Sequence, residues 1–287
     1  MKICFGRAAA ALVCLLWATA QVVAALEISV VPARPRVGDV VFMTLAPEAE
    51  LLRAACSWDG RSYPFLASGD AFELVLPMSL RISPGERQAT VYWKYVDGRM
   101  GKLVMLIEVQ AREFGVQRLR LSRAQEARYS APETRRERQL IGAVLERVTA
   151  EKWWRGSFVM PVEGRVSTEF GLQRYINGRL AYRHRGMDIA AEEGTPVRAA
   201  AAGVVSLADD SFLLHGQTVV LDHGHGVSTL YIHLSEIAVR QGETVQQGDM
   251  VGRVGATGVA TGPHLHFAVY AYHEAVDPLF WVGLPAS

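Results

Sequence analysis

The chain opens on an apolar run from Ala8 to Ala20, preceded by Lys2 and Arg7 and followed by Gln21 and small residues. A basic start, a short apolar segment and a small-residue end form the layout of a secretory signal peptide over residues 1–25. Ala18-Thr19-Ala20 and Val22-Val23-Ala24 both suit cleavage. An uncleaved membrane anchor is the alternative, but the strictly apolar run is shorter than the ~20 residues that span a bilayer. Cys14 follows Val13, which argues against a lipoprotein site.

From Leu26 the pattern changes to short apolar stretches of period two. Leu26–Val31 and Val40–Leu45 read as strands, and Asp59-Gly60 and Asp97-Gly98 each sit between apolar runs, a strong hairpin signal. Trp58, Tyr63, Phe65, Phe72, Tyr92, Trp93 and Tyr95 are the expected core. Residues 26–111 therefore read as an immunoglobulin-like β-sandwich without a catalytic constellation. Residues 112–156 are charged, with Leu140, Ile141, Val144, Leu145 and Val148 at helical spacing. They read as a helical linker. Ser130 with Glu133 predicts its capping box, Glu133 and Glu137 interleave with Arg135, Arg136 and Arg138 on a solvated face, and Trp153-Trp154 predicts a plug against the next domain. Residues 157–287 return to short alternating runs with glycines between them, the pattern of many short strands and tight turns. The fold class is mainly β.

Composition sharpens this picture at three points. The formal net charge of +1 gives no basic excess for nucleic acid, and loss of Lys2 and Arg7 with the signal takes it to −1. The same cleavage removes Cys4 and Cys14 and leaves Cys56 alone, so the mature chain has no internal disulfide. Cys56 alternates with apolar neighbours and reads as a buried structural thiol. Finally, all eight histidines fall between His184 and His273.

Those histidines ask for a metal. In His184-Arg185-Gly186-Met187-Asp188, a strand would set His184, Gly186 and Asp188 on one face. In Gly262-Pro263-His264-Leu265-His266-Phe267, His264 and His266 would share a face while Leu265 and Phe267 turn to the core. In Ser228 to Ser235, Leu230, Ile232 and Leu234 are the expected core face, and Thr229, Tyr231 and His233 the site face. Three protein ligands and an open position mark a catalytic zinc, and a surplus of imidazoles suits proton transfer. Structural zinc would call for cysteines, and oxygen-only Ca²⁺ or Mg²⁺ is disfavoured by the imidazoles. His215, His223, His225 and His273 read as satisfied or exposed residues, with His223-Gly224-His225-Gly226 a hairpin turn.

At these residues the chain resembles the M23 zinc metallopeptidases of the LytM and lysostaphin type. The matching stretches are Phe170-Gly171, His184-x-Gly-x-Asp188, Gly194-Thr195-Pro196-Val197, Tyr231-x-His233-Leu234-Ser235, Gly242-x-x-Val245-x-x-Gly248, and Thr257-Gly258 through His264-x-His266-Phe267. The resemblance implies His184, Asp188 and His266 as ligands of one Zn²⁺ per chain and His233 and His264 as catalytic histidines. It implies a compact antiparallel domain with the metal in a groove, and a peptide bond of peptidoglycan as substrate. Expectation is thus a secreted zinc endopeptidase, most readily periplasmic, cutting cross-links or stem peptides. It has no nucleic-acid partner and no stable membrane span after cleavage, and the N-terminal domain is a candidate mask of the groove. The alternative is a non-enzymatic cell-wall binding protein or an activator of other hydrolases that has kept the fold. Against it, all five site positions are intact. Asn177-Gly178 reads as a turn, and Asn177 is not assigned to the site.

Overall fold

A computed structural model describes residues 26–283. The predicted signal peptide lies outside the described residues. The first eight strands form two four-stranded antiparallel sheets. One runs Leu26–Val31, Val40–Pro47, Ala71–Pro77, Leu66–Ser68, and the other Arg61–Pro64, Leu51–Trp58, Gly85–Tyr95, Met100–Val109. In chain order this is 1-2-6-5 against 4-3-7-8, the two-sheet partition of an immunoglobulin-type sandwich with a fourth strand on the smaller sheet. Alternate residues Met43, Leu45, Leu74, Leu76, Cys56, Trp58, Val91 and Tyr95 face inward and make the core. Tyr92 does not join them. It falls out of phase with its neighbours Val91 and Trp93, so it points outward and is 50% exposed. Asp59-Gly60 closes a two-residue hairpin with positive φ at both positions (46° and 77°). Asp97-Gly98 lies in a longer connection between Tyr95 and Met100.

Residues 112–156 are not helical throughout. Val116–Leu119 is a strand that pairs parallel with Gln173–Ile176, which in turn pairs antiparallel with Arg179–Arg183. Two helices follow, Arg123–Ser130 and Glu133–Leu145. The capping box sits at the first of them, between Ser122 and Gln125, rather than at Ser130 and Glu133. The second helix is preceded by Pro132 in helical conformation and has no side-chain cap. Ile141, Val144 and Leu145 are buried, while Leu140 and Val148 are exposed. Glu137 departs most from expectation. It is 4% exposed, and its carboxylate accepts hydrogen bonds from the backbone N–H groups of Leu213, Leu214 and His215 and meets His215 Nδ1 at 3.0 Å. A buried carboxylate needs such partners, and the loop 213–215 supplies them.

The remaining strands build a sheet whose main path runs Arg165–Thr168, Met187–Ala190, Leu265–Ala271, Val227–Ile237, Gln217–Gly224, Gly203–Asp209, Thr244–Val245. Its two faces pack differently. On one, Ile189, Val219, Leu221, Tyr231, Phe267 and Val269 pack with Trp154, Phe158 and Trp281, and with Val40 and Val75 of the sandwich. Phe42 of the sandwich adds ring contacts to Trp154 and Trp281 at 6.1 and 5.7 Å. Trp154 is therefore a plug between sandwich and sheet, not between helix and sheet. On the other face, Val220, Leu230, Ile232, Ala268 and Tyr270 lie under Ile141, Val144 and Leu145 of the second helix.

Candidate metal centre

Met187–Ala190 and Leu265–Ala271 are adjacent antiparallel strands, and their register sets Asp188 opposite His266. His184 precedes the first strand and is tethered by its backbone N–H to Leu172 O. Three donor atoms converge: His184 Nε2 lies 3.0 Å from Asp188 Oδ1 and 2.9 Å from His266 Nδ1, and His266 Nδ1 lies 2.7 Å from Asp188 Oδ1. All three residues are buried. Gly186 makes the approach possible: a Cβ there would stand 2.4 Å from Phe267 O and 2.8 Å from His266 Nε2.

The distribution of protons over this set leaves room for a cation. His184 Nδ1 faces the Glu169 carbonyl at 2.9 Å, so it carries the proton and leaves Nε2 as a bare lone pair. Asp188 Oδ1 is an acceptor. Without a cation, the proton on His266 Nδ1 is the single donor among three atoms that all offer lone pairs. A divalent cation in place of that proton satisfies all three, and two imidazoles with one carboxylate suit a borderline-soft ion. These residues fit a metal cofactor. Burial pushes the Asp188 carboxyl up, but the His184 and His266 ring nitrogens gathered at its Oδ1 outweigh burial and hold it well below the usual carboxylate range. Burial pushes His266 down to about 4 against the pull of Asp188, so the ring is neutral at pH 7 and able to ligate.

His233 and His264 face each other beside this triad, with ring centroids 4.9 Å apart. His233 Nδ1 donates to Thr257 O at 2.8 Å, and His264 Nδ1 donates to Gly262 O at 2.8 Å. Each therefore keeps a free Nε2 lone pair. Burial, with His264 and His266 nearby, pushes His233 down to about 3.

His233 reaches the site by a route that strict alternation does not give. Tyr231 and Leu234, three residues apart, both face the core shared with the sandwich, while Leu230 and Ile232 face the second helix. The register slips by one residue between Tyr231 and Leu234, and His233 stands in the slip at φ 66°. The bulge adds His233 to the face of Leu230 and Ile232. The expected faces are thus reversed for Leu230, Tyr231 and Ile232, while Leu234 and His233 keep theirs: Tyr231 is a core residue, its hydroxyl accepting from Ala200 N at 2.9 Å. A left-handed β-bulge residue at a site is backbone strain of the kind that persists where the surroundings hold it.

Around these five residues lies a cavity of about 880 Å³. The sheet residues Ile232 and Tyr270 floor it, and Tyr129, Arg138 and Ile141 of the two linker helices wall it. His215 lines it as well, beside Glu137. Among the described residues, Asp188 is its one acidic lining residue, against Arg135, Arg138, Arg174 and Arg185. Arg174, which the sequence places in a segment bordering the groove but gives no role, is buried, and its NH2 donates to Asp188 Oδ2 at 2.6 Å. No spacing signal marks it. His223 and His225 take no part: His223 donates from Nδ1 to Ala202 O, and His225, at φ 53°, turns the hairpin with Gly226. Asn177 also stays apart, bonded to the backbone of Leu121.

Residues 182–278 match the model of Peptidase family M23. A Haemophilus influenzae protein described as an uncharacterized metalloprotease is 39% identical over 127 residues, 44% of this chain and 26% of that protein. DD-carboxypeptidase/endopeptidase Mpg of Neisseria meningitidis is 40% identical over 121 residues, 42% of this chain and 27% of its own length. Aligned segments thus span about a quarter of these curated relatives. A crystal structure from Pseudomonas aeruginosa described as a peptidase M23 superposes with TM-score 0.63 at 26% identity, covering 87% of this chain and 95% of that one. The likeness to that structure therefore extends through sandwich, linker and sheet together.

Proposed function

We propose that this chain, whose residues 182–278 belong to peptidase family M23, is an exported zinc metalloendopeptidase that hydrolyses peptide bonds in peptidoglycan cross-links or stem peptides. One observation carries the reading: His184 Nε2, Asp188 Oδ1 and His266 Nδ1 lie within 3.0 Å of one another, with two further imidazoles at the same groove. Relatives named for peptidoglycan support the substrate class. The peptidoglycan DD-endopeptidase ShyC of Vibrio cholerae, 40% identical over 105 residues, is one of them. His184, Asp188 and His266 would hold one zinc, which when bound supplies Lewis acidity to polarise a carbonyl and acidify water.

The chain's own residues supply the rest. Ring nitrogens fixed by carbonyls present Nε2 lone pairs, so His233 and His264 act first as acceptors. His233, neutral down to about 3, orients the attacking water through Nε2. His264 Nε2 accepts the proton of that water and returns it to the leaving amine. The arginines on the groove wall favour a substrate that carries carboxylates. The predicted signal peptide supports export to the periplasm or cell wall, and among the described residues no helix is long and apolar enough to cross a membrane.

A masking role falls to the linker rather than to the sandwich. The helix Glu133–Leu145 covers part of the floor and is fastened by Glu137 to the loop 213–215. Bound zinc measured beside release of peptides from purified peptidoglycan, with and without chelator, tests the whole reading. One equivalent of zinc with chelator-sensitive release is expected, and fragment masses name the bond. Neither zinc nor release would transfer the chain to the binding or activator class.

A further inference from the structure

Asp188 has two oxygens and the structure uses them differently. Oδ1 faces the imidazoles, while Oδ2 accepts from Arg174 NH2 at 2.6 Å. Arg174 is itself committed on every nitrogen: Nε donates to Gln117 Oε1 at 2.7 Å and NH1 to the Tyr182 hydroxyl at 3.3 Å. The other end of Gln117 donates from Nε2 to Thr168 Oγ1 at 3.0 Å. Thr168 is the cross-strand partner of Asp188, and the neighbouring Ser167 hydroxyl donates to Asp188 O. The bonds run from Asp188 through Arg174 and Gln117 to Thr168, which strand pairing sets back beside Asp188. Gln117 and Arg174 stand side by side because Val116–Leu119 pairs parallel with Gln173–Ile176, residue 117 against residue 174. Both lie outside the family-matched residues 182–278.

We propose that Arg174 and Gln117 are positioning residues that hold Asp188 as a one-oxygen metal ligand, and that the linker strand is thereby part of the metal centre. The guanidinium occupies Oδ2, so Oδ1 alone turns to the donor triangle. A planar fork does this better than an ammonium, because it fixes direction as well as charge. Outer partners of metal ligands of this kind affect affinity by about 10- to 100-fold. The inference rests on the metal reading above, and its test separates the two.

The full chain is compared with Arg174→Met, Arg174→Lys, Gln117→Met and the double variant. Zinc dissociation constants come from chelator competition, and visible absorption of the cobalt(II)-loaded proteins reports ligand geometry. Arg174→Met should weaken zinc by about 10- to 100-fold, Arg174→Lys by less, and Gln117→Met by several-fold. Adding Gln117→Met to Arg174→Met should cost no further affinity, since Gln117 acts through Arg174. The cobalt spectra of the variants should differ from that of the parent. Folded variants with the parent's zinc affinity and cobalt spectrum, and only a lower melting temperature, would overturn the proposal. If Arg174→Met does not fold, Arg174→Lys and Gln117→Met decide by the same readouts. A parent chain that takes up no metal overturns the peptidase reading, and this inference with it.

Discussion

Two groups of buried histidines occupy the same sheet and do opposite things. At the hairpin 223–226, His223 is fully enclosed, with Nδ1 donating to Ala202 O at 2.7 Å and Nε2 meeting the Thr229 hydroxyl at 2.8 Å. Both of its nitrogens are spent on the fold. At the metal centre, His184 spends only Nδ1, and its Nε2 points at another imidazole and a carboxylate. The two groups are similarly buried, and burial pushes both His223 and His266 to about 4. Burial of a histidine is therefore no guide to function here. What separates the groups is whether a lone pair is left over and whether others meet it.

The largest expected effect comes from the convergent group. His184→Ala, Asp188→Ala or His266→Ala should abolish both bound zinc and peptide release. Asp188→Ala should also strand the buried Arg174 charge, at a cost of about 3–5 kcal/mol by denaturant unfolding. Next come His233→Ala and His264→Ala. Each should reduce turnover by about 10²- to 10⁴-fold while retaining zinc. Loss of metal in either would move that residue from proton handling to ligation. A smaller effect follows from Glu137→Ala, which unfastens the linker helix. Turnover of insoluble peptidoglycan should rise several-fold relative to a short soluble peptide, and equal or lower rates on both would remove the mask.

His223 supplies the smallest effect on activity and the sharpest contrast with the site. Its folded value of about 4 lies below the ordinary unfolded value of about 6.5. The unfolded chain then binds more protons between those values. Stability is full above about pH 6.5 and is lost as pH falls toward 4, by roughly 3 kcal/mol for this group. His223→Gln should lower stability at neutral pH and flatten that acid limb in equilibrium unfolding. An unchanged slope would mean that His223 does not titrate as described.

Removal of residues 26–111 would probe a different contrast, that between the sandwich and the sheet. Phe42, Val40 and Val75 share one core with Trp154 and Trp281. The shortened chain should therefore expose those tryptophans and lose stability.

Period-two alternation, turn pairs and clustered histidines made much of this molecule legible in advance. Strands over Leu26–Val31 and Val40–Pro47 and the hairpin at Asp59-Gly60 follow from local pattern, because a strand's faces and a turn's φ values are set within a few residues. His184, Asp188, His264 and His266 stood out by clustering and spacing, and the family resemblance alone assigned the five site candidates their roles. Other features belong to tertiary structure alone. His233 joins the site through a bulge that contradicts the alternation around it, since a one-residue slip is fixed by the neighbouring strand and not by the residues that slip. Glu137 looks like any solvated helix carboxylate until the loop 213–215 closes on it. Arg174 and Gln117, fifty-seven positions apart, meet only because two strands pair in parallel. Sequence by itself determined which groups are available for the proposed chemistry. Long-range pairing decided how they are aimed, because a side chain's partner at such separation is a property of the packed chain and leaves no trace in local spacing.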